Sequence, residues 1–148
     1  MGQDVSTALD HVNSTIAERV IDLWETDLSN DPARIKWPNV DFTQPSGSTW
    51  LRVTIIPGRA TPRTYGPTSD QIRASVLLLE CFAPKNAGRQ VTRTFAEKAL
   101  DKFVGKAVKG LSFQDNRVDY FENEPAWDRV MVTLEFTQFE TVTTAIIL

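Results

Sequence analysis

The sequence contains one cysteine and one histidine, and this scarcity excludes several kinds of site. A single cysteine, Cys81, cannot form an internal disulfide, so nothing in the sequence indicates an oxidising compartment. Cys81 lies within an apolar run, and we interpret it as a buried structural thiol. With His11 as the only histidine, no Ser-His-Asp triad or Cys-His pair is indicated, and no His/Cys cluster for a metal.

Long apolar runs and an excess of basic residues are also missing. No run approaches the roughly 20 residues that span a bilayer, and the N-terminus lacks the basic and apolar regions of a signal peptide. The formal net charge is -3 with basic residues spread along the chain, which argues against a dedicated nucleic-acid-binding protein. We expect a soluble protein made in the cytoplasm, without a membrane partner.

The remaining candidates for chemistry are weak. The glycines of residues 105–110 lie at a predicted helix end, not between a strand and a helix start, so this segment is not a phosphate loop. A carboxylate-rich patch is able to bind a hard cation, but we interpret it as the solvated end of a hairpin. We therefore predict no enzymatic activity, no cofactor and no metal site. The members of the patch are Asp115, Asp119, Glu122 and Glu124.

Hydrophobic spacing predicts two helices. Apolar residues recur every three or four positions in residues 4–28 and again in residues 89–108. Pro32 ends the first helix, because proline disfavours helical geometry in the residue before it. Gly110 suits the left-handed position just past the end of the second helix.

Alternation of side chains predicts four strands, at residues 50–56, 71–82, 111–121 and 129–139. The second of these strands is apolar on both faces, so we expect cover on both sides, by a helix and by something else such as a partner subunit. A long polar excursion, residues 58–70, joins the first two strands and is expected to have no structure of its own. We name it the arm.

The order helix, strand, strand, helix, strand, strand predicts an α+β fold with a mainly antiparallel sheet and both helices packed on one face. The 148 residues suffice for one domain, residues 1–148, with one core. An extended arm between the first two strands and a C-terminal tail, residues 140–148, complete the predicted chain. Because compact domains rarely carry a long loop without a use, the arm indicates a surface that meets another protein.

The tryptophans divide between core and surface. Trp24 is predicted to be a core residue, and Trp37 and Trp50 are predicted to clamp the irregular segment between them. Trp127 lies beside a turn, where it is either an interface anchor or part of a packed turn.

A pattern of prolines, tryptophans and strand starts extends over roughly residues 5–139 and carries a family resemblance. Its parts are Trp37-Pro38-Asn39-Val40-Asp41-Phe42-Thr43-Gln44-Pro45, Trp50-Leu51-Arg52-Val53, Pro57-Gly58-Arg59 rejoining at Ile72, Phe82-Ala83-Pro84, a turn with Gly88, and a helix with Ala96-Glu97-Lys98-Ala99-Leu100 and Phe103. This pattern resembles the tail terminator, or tail-completion, proteins of long-tailed phages, the lambda-type and related ones.

The resemblance implies a non-enzymatic virion protein that forms a ring, typically a hexamer, on the tail tube. Such a ring stops tube polymerisation and provides the surface that the head-side connector joins. The implied partners are further copies of the chain, the tail tube protein and the head-tail connector or neck protein. DNA passing through the lumen is a further candidate partner, and the sequence does not determine whether it touches the ring. The implied location is the head-proximal end of the tail, after assembly in the host cytoplasm. Two alternatives stay open: a neck or head-completion connector, and a small-ligand-binding α+β domain.

Candidate partner-binding residues follow from the arm and the tail. On the arm, Arg59, Arg63 and Tyr65 are expected to contact a neighbouring subunit or tube ring, with a solvated loop as the alternative. The apolar end of the tail is expected to be buried against another chain, since its exposure would promote association. Trp127 joins this set as an interface anchor. The tail residues concerned are Ile146, Ile147 and Leu148.

Overall fold

The computed structural model describes residues 5–62, 68–85, 89–122 and 124–143. These residues form two α-helices and seven strands, joined by a π-helical turn at Asp22–Asp27 and a 3-10 turn at Pro32–Arg34. The elements in chain order are α1 (Val5–Ile21), β1 (Ile35–Lys36), β2 (Trp50–Ile56), β3 (Ala60–Pro62), β4 (Thr68–Pro84), α2 (Arg89–Phe103), β5 (Ala107–Val108), β6 (Leu111–Phe121) and β7 (Trp127–Thr143).

The strands form one mixed, curled sheet in the order β1-β2-β4-β7-β6-β5, and β3 pairs with β4 beside this path. The β1–β2 pair is parallel, whereas every other pair is antiparallel. The predicted α+β class is therefore confirmed, as two helices with a seven-stranded sheet. No helix in the described ranges has both the length and the apolarity needed to cross a membrane.

The inner face of the sheet, defined by the side chains of Leu51, Val53, Leu79 and Val132, packs against helical side chains in one core. Residues paired across neighbouring strands point to the same face, and this register aligns Val53 with Leu79 and Leu79 with Val132. The helical contribution to this core consists of Val12, Ile16, Val20, Leu23, Trp24, Phe95, Ala96, Ala99 and Phe103.

The first helical segment ends as its sequence indicates. After α1 the chain makes the π-helical turn and then reaches Asp31, whose side chain accepts a hydrogen bond from the backbone N–H of Ala33 at 2.9 Å. The indole Nε1 of Trp24 donates to the backbone oxygen of Asp31 at 2.9 Å. Trp24 is fully buried, so its predicted place in the core is confirmed.

The second helix ends earlier than predicted, at Phe103 and not at residue 108. Gly105, with a φ of 70°, takes the left-handed position after this helix. Gly110 also has a positive φ, 87°, but it lies with Lys109 in the two-residue turn that joins β5 to β6. The prediction therefore identified a left-handed glycine correctly and assigned it to the wrong element.

The longest strands, β4 and β7, have 17 residues each and pair along their whole length. The first pair is Thr68 with Thr143 and the last is Pro84 with Trp127. Both strands extend beyond the predicted ranges. The reason is that each strand supplies the hydrogen-bond partners of the other, and the sequence of a single strand does not reveal them. Residues 141–143 of the predicted tail belong to β7, and residues 144–148 lie outside the described residues.

The arm is not without structure, which corrects the expectation for residues 58–70. Ala60–Pro62 form β3, which pairs with residues 71–73 of β4, and residues 68–70 already belong to β4. The N–H of Gly58 donates to Ser75 Oγ at 3.1 Å, and Arg73 Nη1 donates to the Gly58 oxygen at 2.8 Å. These contacts fix the base of the arm against β4. Residues 63–67 lie outside the described residues.

Replacing Gly58 with alanine is expected to displace the base of the arm. A Cβ at Gly58 would lie 1.4 Å from the backbone oxygen of Ala74, so the two segments must separate. We expect unfolding in urea to show a loss of about 2 kcal/mol in the free energy of unfolding, with faster amide exchange at Ala60, Thr61 and residues 71–73. Gly47→Ala is the control. A Cβ at Gly47 would meet nothing within 4 Å, and the φ of 71° means that the substitution costs backbone strain without a steric clash. Equal amide exchange at Ala60 and Thr61 in both variants would contradict the close approach.

The thiol of Cys81 is expected to resist alkylation in the folded protein. Cys81 is fully buried in the core, and this burial raises the pKa of the thiol far above its usual value. Iodoacetamide at pH 8 should label the protein in urea and leave it unlabelled in buffer, as read by intact-protein mass spectrometry. Since the chain has one cysteine, the measurement needs no assignment. Rapid labelling without denaturant would show that the core opens at this strand.

Candidate functional site

The outer face of the sheet, opposite the core, carries a row of side chains from four adjacent strands. Arg52 pairs with Glu80, and Glu80 pairs with Met131, so these side chains share one face. Its apolar members are incompletely covered, since Val76, Leu78 and Met131 are half-buried and Ile56 is 49% exposed. We expected β4 to be covered on both sides, by a helix on one side and by something else, such as a partner subunit, on the other. In the described part of the chain, helical side chains of the core cover the inner face.

An aromatic cluster occupies one end of the outer face. Trp50 stacks on Phe82 with ring centroids 4.1 Å apart and an interplanar angle of 5°. Phe42, from the irregular segment before β2, lies 5.4 Å from Trp50, and Trp127 meets the same ring edge-on at 6.3 Å. Trp50 therefore holds this segment against the sheet, while Trp37 packs against the core. Trp127 is half-buried at the start of β7, and its role as an interface anchor stays a prediction.

An ionic cluster lies next to the aromatic one. Glu80 accepts two hydrogen bonds from Arg52, at 2.9 and 2.8 Å, and one from Arg129 at 2.7 Å. Arg129 also donates to Glu124 at 3.0 Å, and its guanidinium lies 4.1 Å from the centroid of Phe121. The cluster holds two cations and two anions, so its charges balance. The Glu80 side chain is 8% exposed and is therefore a nearly buried charge with a full set of partners.

The partners of Glu80 keep it ionised. Burial by itself would raise the pKa of its carboxyl, but hydrogen bonds from Arg52 and Arg129 outweigh burial and hold the pKa below its usual value. Likewise, burial would lower the pKa of Arg129, and its bonds to Glu80 and Glu124 raise it instead. The hydrogen bonds of Glu80 to Arg52 and Arg129 join β2, β4 and β7, and the cluster therefore acts as a structural clamp across these three strands.

Sequence reasoning missed this cluster. Arg52 and Glu80 are 28 residues apart in the chain, and Glu80 and Arg129 are 49 apart. The available signal was a lone arginine in the apolar strand 50–56 and a lone glutamate in the apolar strand 71–82. Isolated charges of opposite sign in buried strands indicate a pair, since an unpaired buried charge is strongly unfavourable.

An open groove lies farther along the outer face, between β6 and β7. Its volume is about 520 Å³. The floor consists of Phe121, Met131 and Thr133, and the rest of the lining carries three carboxylates and one guanidinium. The charged lining residues are Asp115, Arg117, Asp119 and Glu135.

The carboxylates predicted as a possible cation patch are mostly paired with arginines. Among the described residues, no group of three or more His, Cys, Asp or Glu is placed to hold a metal ion. The arginine partners are Arg117 for Asp119, Arg89 and Arg93 for Glu122, and Arg129 for Glu124.

The predicted partner-binding residues do not form one site. Arg59 is exposed beside the base of the arm, whereas Trp127 pairs with Pro84 at the far end of β4. Ten residues of extended chain separate Ala74 from Pro84, which is about 33 Å. The pairing of Thr68 with Thr143 brings the end of the arm and the start of the tail together. Arg63, Tyr65, Ile146, Ile147 and Leu148 lie outside the described residues.

Comparison with known protein families identifies the family of this chain. The family model described as phage tail terminator protein matches residues 12–131, which is most of the chain. This chain belongs to the phage tail terminator family. As a member of that structural family, which is not enzymatic, it is a structural component of the phage tail in the virion. The resemblance noted in the sequence is thereby confirmed.

Other comparisons add a likeness of fold to this family membership. One solved structure aligns with this chain at a TM-score of 0.61 and 15% sequence identity, covering 93% of this chain and 98% of the other. At that identity, the likeness concerns the fold alone. Comparison with curated proteins gives no match.

Replacing Glu80 with glutamine is expected to destabilise the protein in a pH-dependent way. Because the pKa of Glu80 is lowered by folding, its contribution is fully present above the ordinary glutamate pKa and is lost as the pH falls through the folded value. At pH 7 we expect the free energy of unfolding to fall by about 2 kcal/mol, since Arg52 is 37% exposed and partly solvated. The difference from the unmodified protein should shrink as the pH is lowered below about 4.

Urea unfolding at several pH values measures this difference. Glu97→Gln, at an exposed position on α2, is the matched control and should change stability little at any pH. A Glu80→Gln effect that stayed constant down to pH 3 would show that packing, not charge, is the source of the stabilisation.

Proposed function

We propose that this protein forms a homo-oligomeric ring, of hexameric type, that caps the phage tail tube at its head-proximal end. In this role it ends tube polymerisation and provides the surface that the head-tail connector joins. Its partners are further copies of itself, the tail tube protein, the connector or neck protein, and DNA in the lumen. The observation that carries the proposal is the match of the tail terminator family model over residues 12–131.

The outer face supports an assembly role on physical grounds. Half-buried apolar side chains such as Leu78 and Met131 stand beside an exposed Ile56 on a face that the described helices leave free. Apolar side chains that stay partly exposed on one face of a sheet favour a protein interface. A ring needs two different patches on each copy, since a head-to-tail contact generates a ring when its rotation closes.

The edges of the sheet also support assembly. Within the described residues, β1 pairs with two residues of β2, and β5 pairs with two residues of β6. Most of the outer edge of each longer strand is thus left without a strand neighbour in the described chain. Such edges accept main-chain hydrogen bonds from another subunit.

The proposed contact residues remain those indicated by the sequence. Arg59, Arg63 and Tyr65 of the arm are assigned to contacts with a neighbouring subunit or tube ring. The tail end, Ile146, Ile147 and Leu148, is assigned to burial against another chain, and Trp127 to an interface at the opposite end of β4. A neck or head-completion protein would also form a ring but would not cap tail tubes, so tube binding separates the two roles.

Purified protein added to growing tail tubes is expected to bind one end of each tube and stop elongation. Electron microscopy gives the position of the bound density, and the distribution of tube lengths gives the effect on growth. Density along the tube sides, no binding, or unchanged growth would each contradict the proposed function.

Trp127→Ala is expected to weaken tube capping about tenfold, because a half-buried aromatic ring at an interface is a common energetic anchor. Tyr120→Ala is the matched control, since Tyr120 is a partly exposed aromatic residue that contacts Arg93 of α2. The measurement is the protein concentration that caps half of the tubes, with the thermal midpoint of each variant as a check on folding. Equal capping by both variants would remove Trp127 from the interface.

A further inference from the structure

We propose that the groove between β6 and β7 receives residues 59–67 of the arm from a second copy of the chain. This contact rests on the proposed ring function and would supply its head-to-tail interface. The base of the arm lies beside residues 71–73 of β4, whereas the groove is lined by residues of β6 and β7.

The groove offers an apolar floor with a negative lining. Phe121 and Met131 line the floor, and both are half-buried. Arg117 pairs with Asp119 at 3.0 Å, which leaves the carboxylates of Asp115 and Glu135 as exposed anions. A segment that carries cationic groups together with an aromatic ring has the chemistry to fill such a groove.

The arm has this composition. Residues 59–67 read Arg-Ala-Thr-Pro-Arg-Thr-Tyr-Gly-Pro, with two arginines, one tyrosine and no acidic residue. Arginine binds carboxylates through a planar fork of N–H donors, and its hydration is weaker than that of lysine, so it suits partly buried pairs. The charges of the two surfaces are therefore complementary: the arginines match Asp115 and Glu135, and Tyr65 matches the apolar floor.

Beyond Arg59, the described part of the arm runs away from the groove of its own copy. β3 runs antiparallel to β4, so from Ala60 to Pro62 the chain moves from the level of Arg73 to that of Gln71, away from the groove. Glu135, at the near end of the groove, pairs with Val76. Val76 lies about 17 Å along β4 from Gln71.

The loop between Pro62 and Thr68 has five residues, 63–67, and must return to the sheet. A five-residue loop anchored at both ends extends about 10 Å at most from its base. Residues 60–62 of the same copy are held on β4 in the direction away from the groove, which favours an occupant from another chain. Because the hydrogen bonds of Gly58 fix the base of the arm on β4, residues 60–62 take a set course along β4, which suits a repeating ring contact.

Reversal of the charges tests the contact directly. The groove variant carries Asp115→Lys and Glu135→Lys, and the arm variant carries Arg59→Glu and Arg63→Glu. Each variant by itself is expected to require at least tenfold more protein than the unmodified chain to cap half of the tail tubes. The control, Glu97→Lys with Asp101→Lys, makes the same charge change at exposed positions on α2 and should cap normally.

Mixing the two variants distinguishes contact between copies from contact within one copy. In an alternating ring, the normal arm of the groove variant meets a normal groove, and the reversed arm of the arm variant meets a reversed groove. Capping should therefore return to within about threefold of the unmodified protein in an equimolar mixture. Circular dichroism and urea unfolding establish that each variant is folded.

Normal capping by either variant, or a mixture no better than its components, would overturn the arm-to-groove contact. The ring and capping proposal would stand in that case, because the unmodified protein still caps tubes. If the unmodified protein itself fails to cap, the proposed function fails, and the oligomeric state of the same variants in native mass spectrometry tests the contact independently. Rescue of oligomers in the mixture would then support the contact, and its absence would reject it.

Discussion

The antiparallel pairing of β4 with β7 is the constraint on which the rest of the structure depends. Its 17 residue pairs run from Thr68–Thr143 to Pro84–Trp127. The middle of the pair supplies the centre of the core through Leu77, Leu79, Val132 and Leu134. One end carries the base of the arm and the start of the tail, and the other end carries the aromatic cluster. Each surface with a proposed role in assembly is therefore positioned by one continuous ladder of hydrogen bonds.

Much of the fold followed from local signals in the sequence. The strands 50–56 and 111–121 were predicted with the bounds that the structure has, because Pro57-Gly58 and Gly110 mark their ends and alternation marks their interiors. The parts that were missed depend on distant partners. β3 and the ends of β4 and β7 contain threonine, serine and proline with little apolar alternation, and they form strands because a neighbouring strand is already in place. Their stability is a property of the sheet, which single-sequence patterns do not report.

The candidate site was less predictable than the fold. The sequence indicated exposed arginine and aromatic residues on the arm, and of these Arg59 is exposed as expected. It did not indicate the clamp formed by Arg52, Glu80 and Arg129, because no spacing rule relates residues that meet only through strand register. It also did not indicate the groove, whose lining comes from two strands. The register of the paired strands decides which side chains become neighbours, and this register is set by the tertiary structure.

The length of the β4–β7 ribbon has one more consequence. At about 3.3 Å per residue the ribbon is about 56 Å long, measured along its curled strands, whereas the diameter of a small domain is about 30 Å. Residues 68–73 lie at the end of this ribbon beside the arm, so the position of the arm along the ribbon depends on the number of residues in β4 and β7. Because inserting one residue in each strand would turn every following side chain to the opposite face, the ribbon can lengthen only by two residues at a time. The length of the ribbon can accordingly change only in increments of two residues, or about 7 Å.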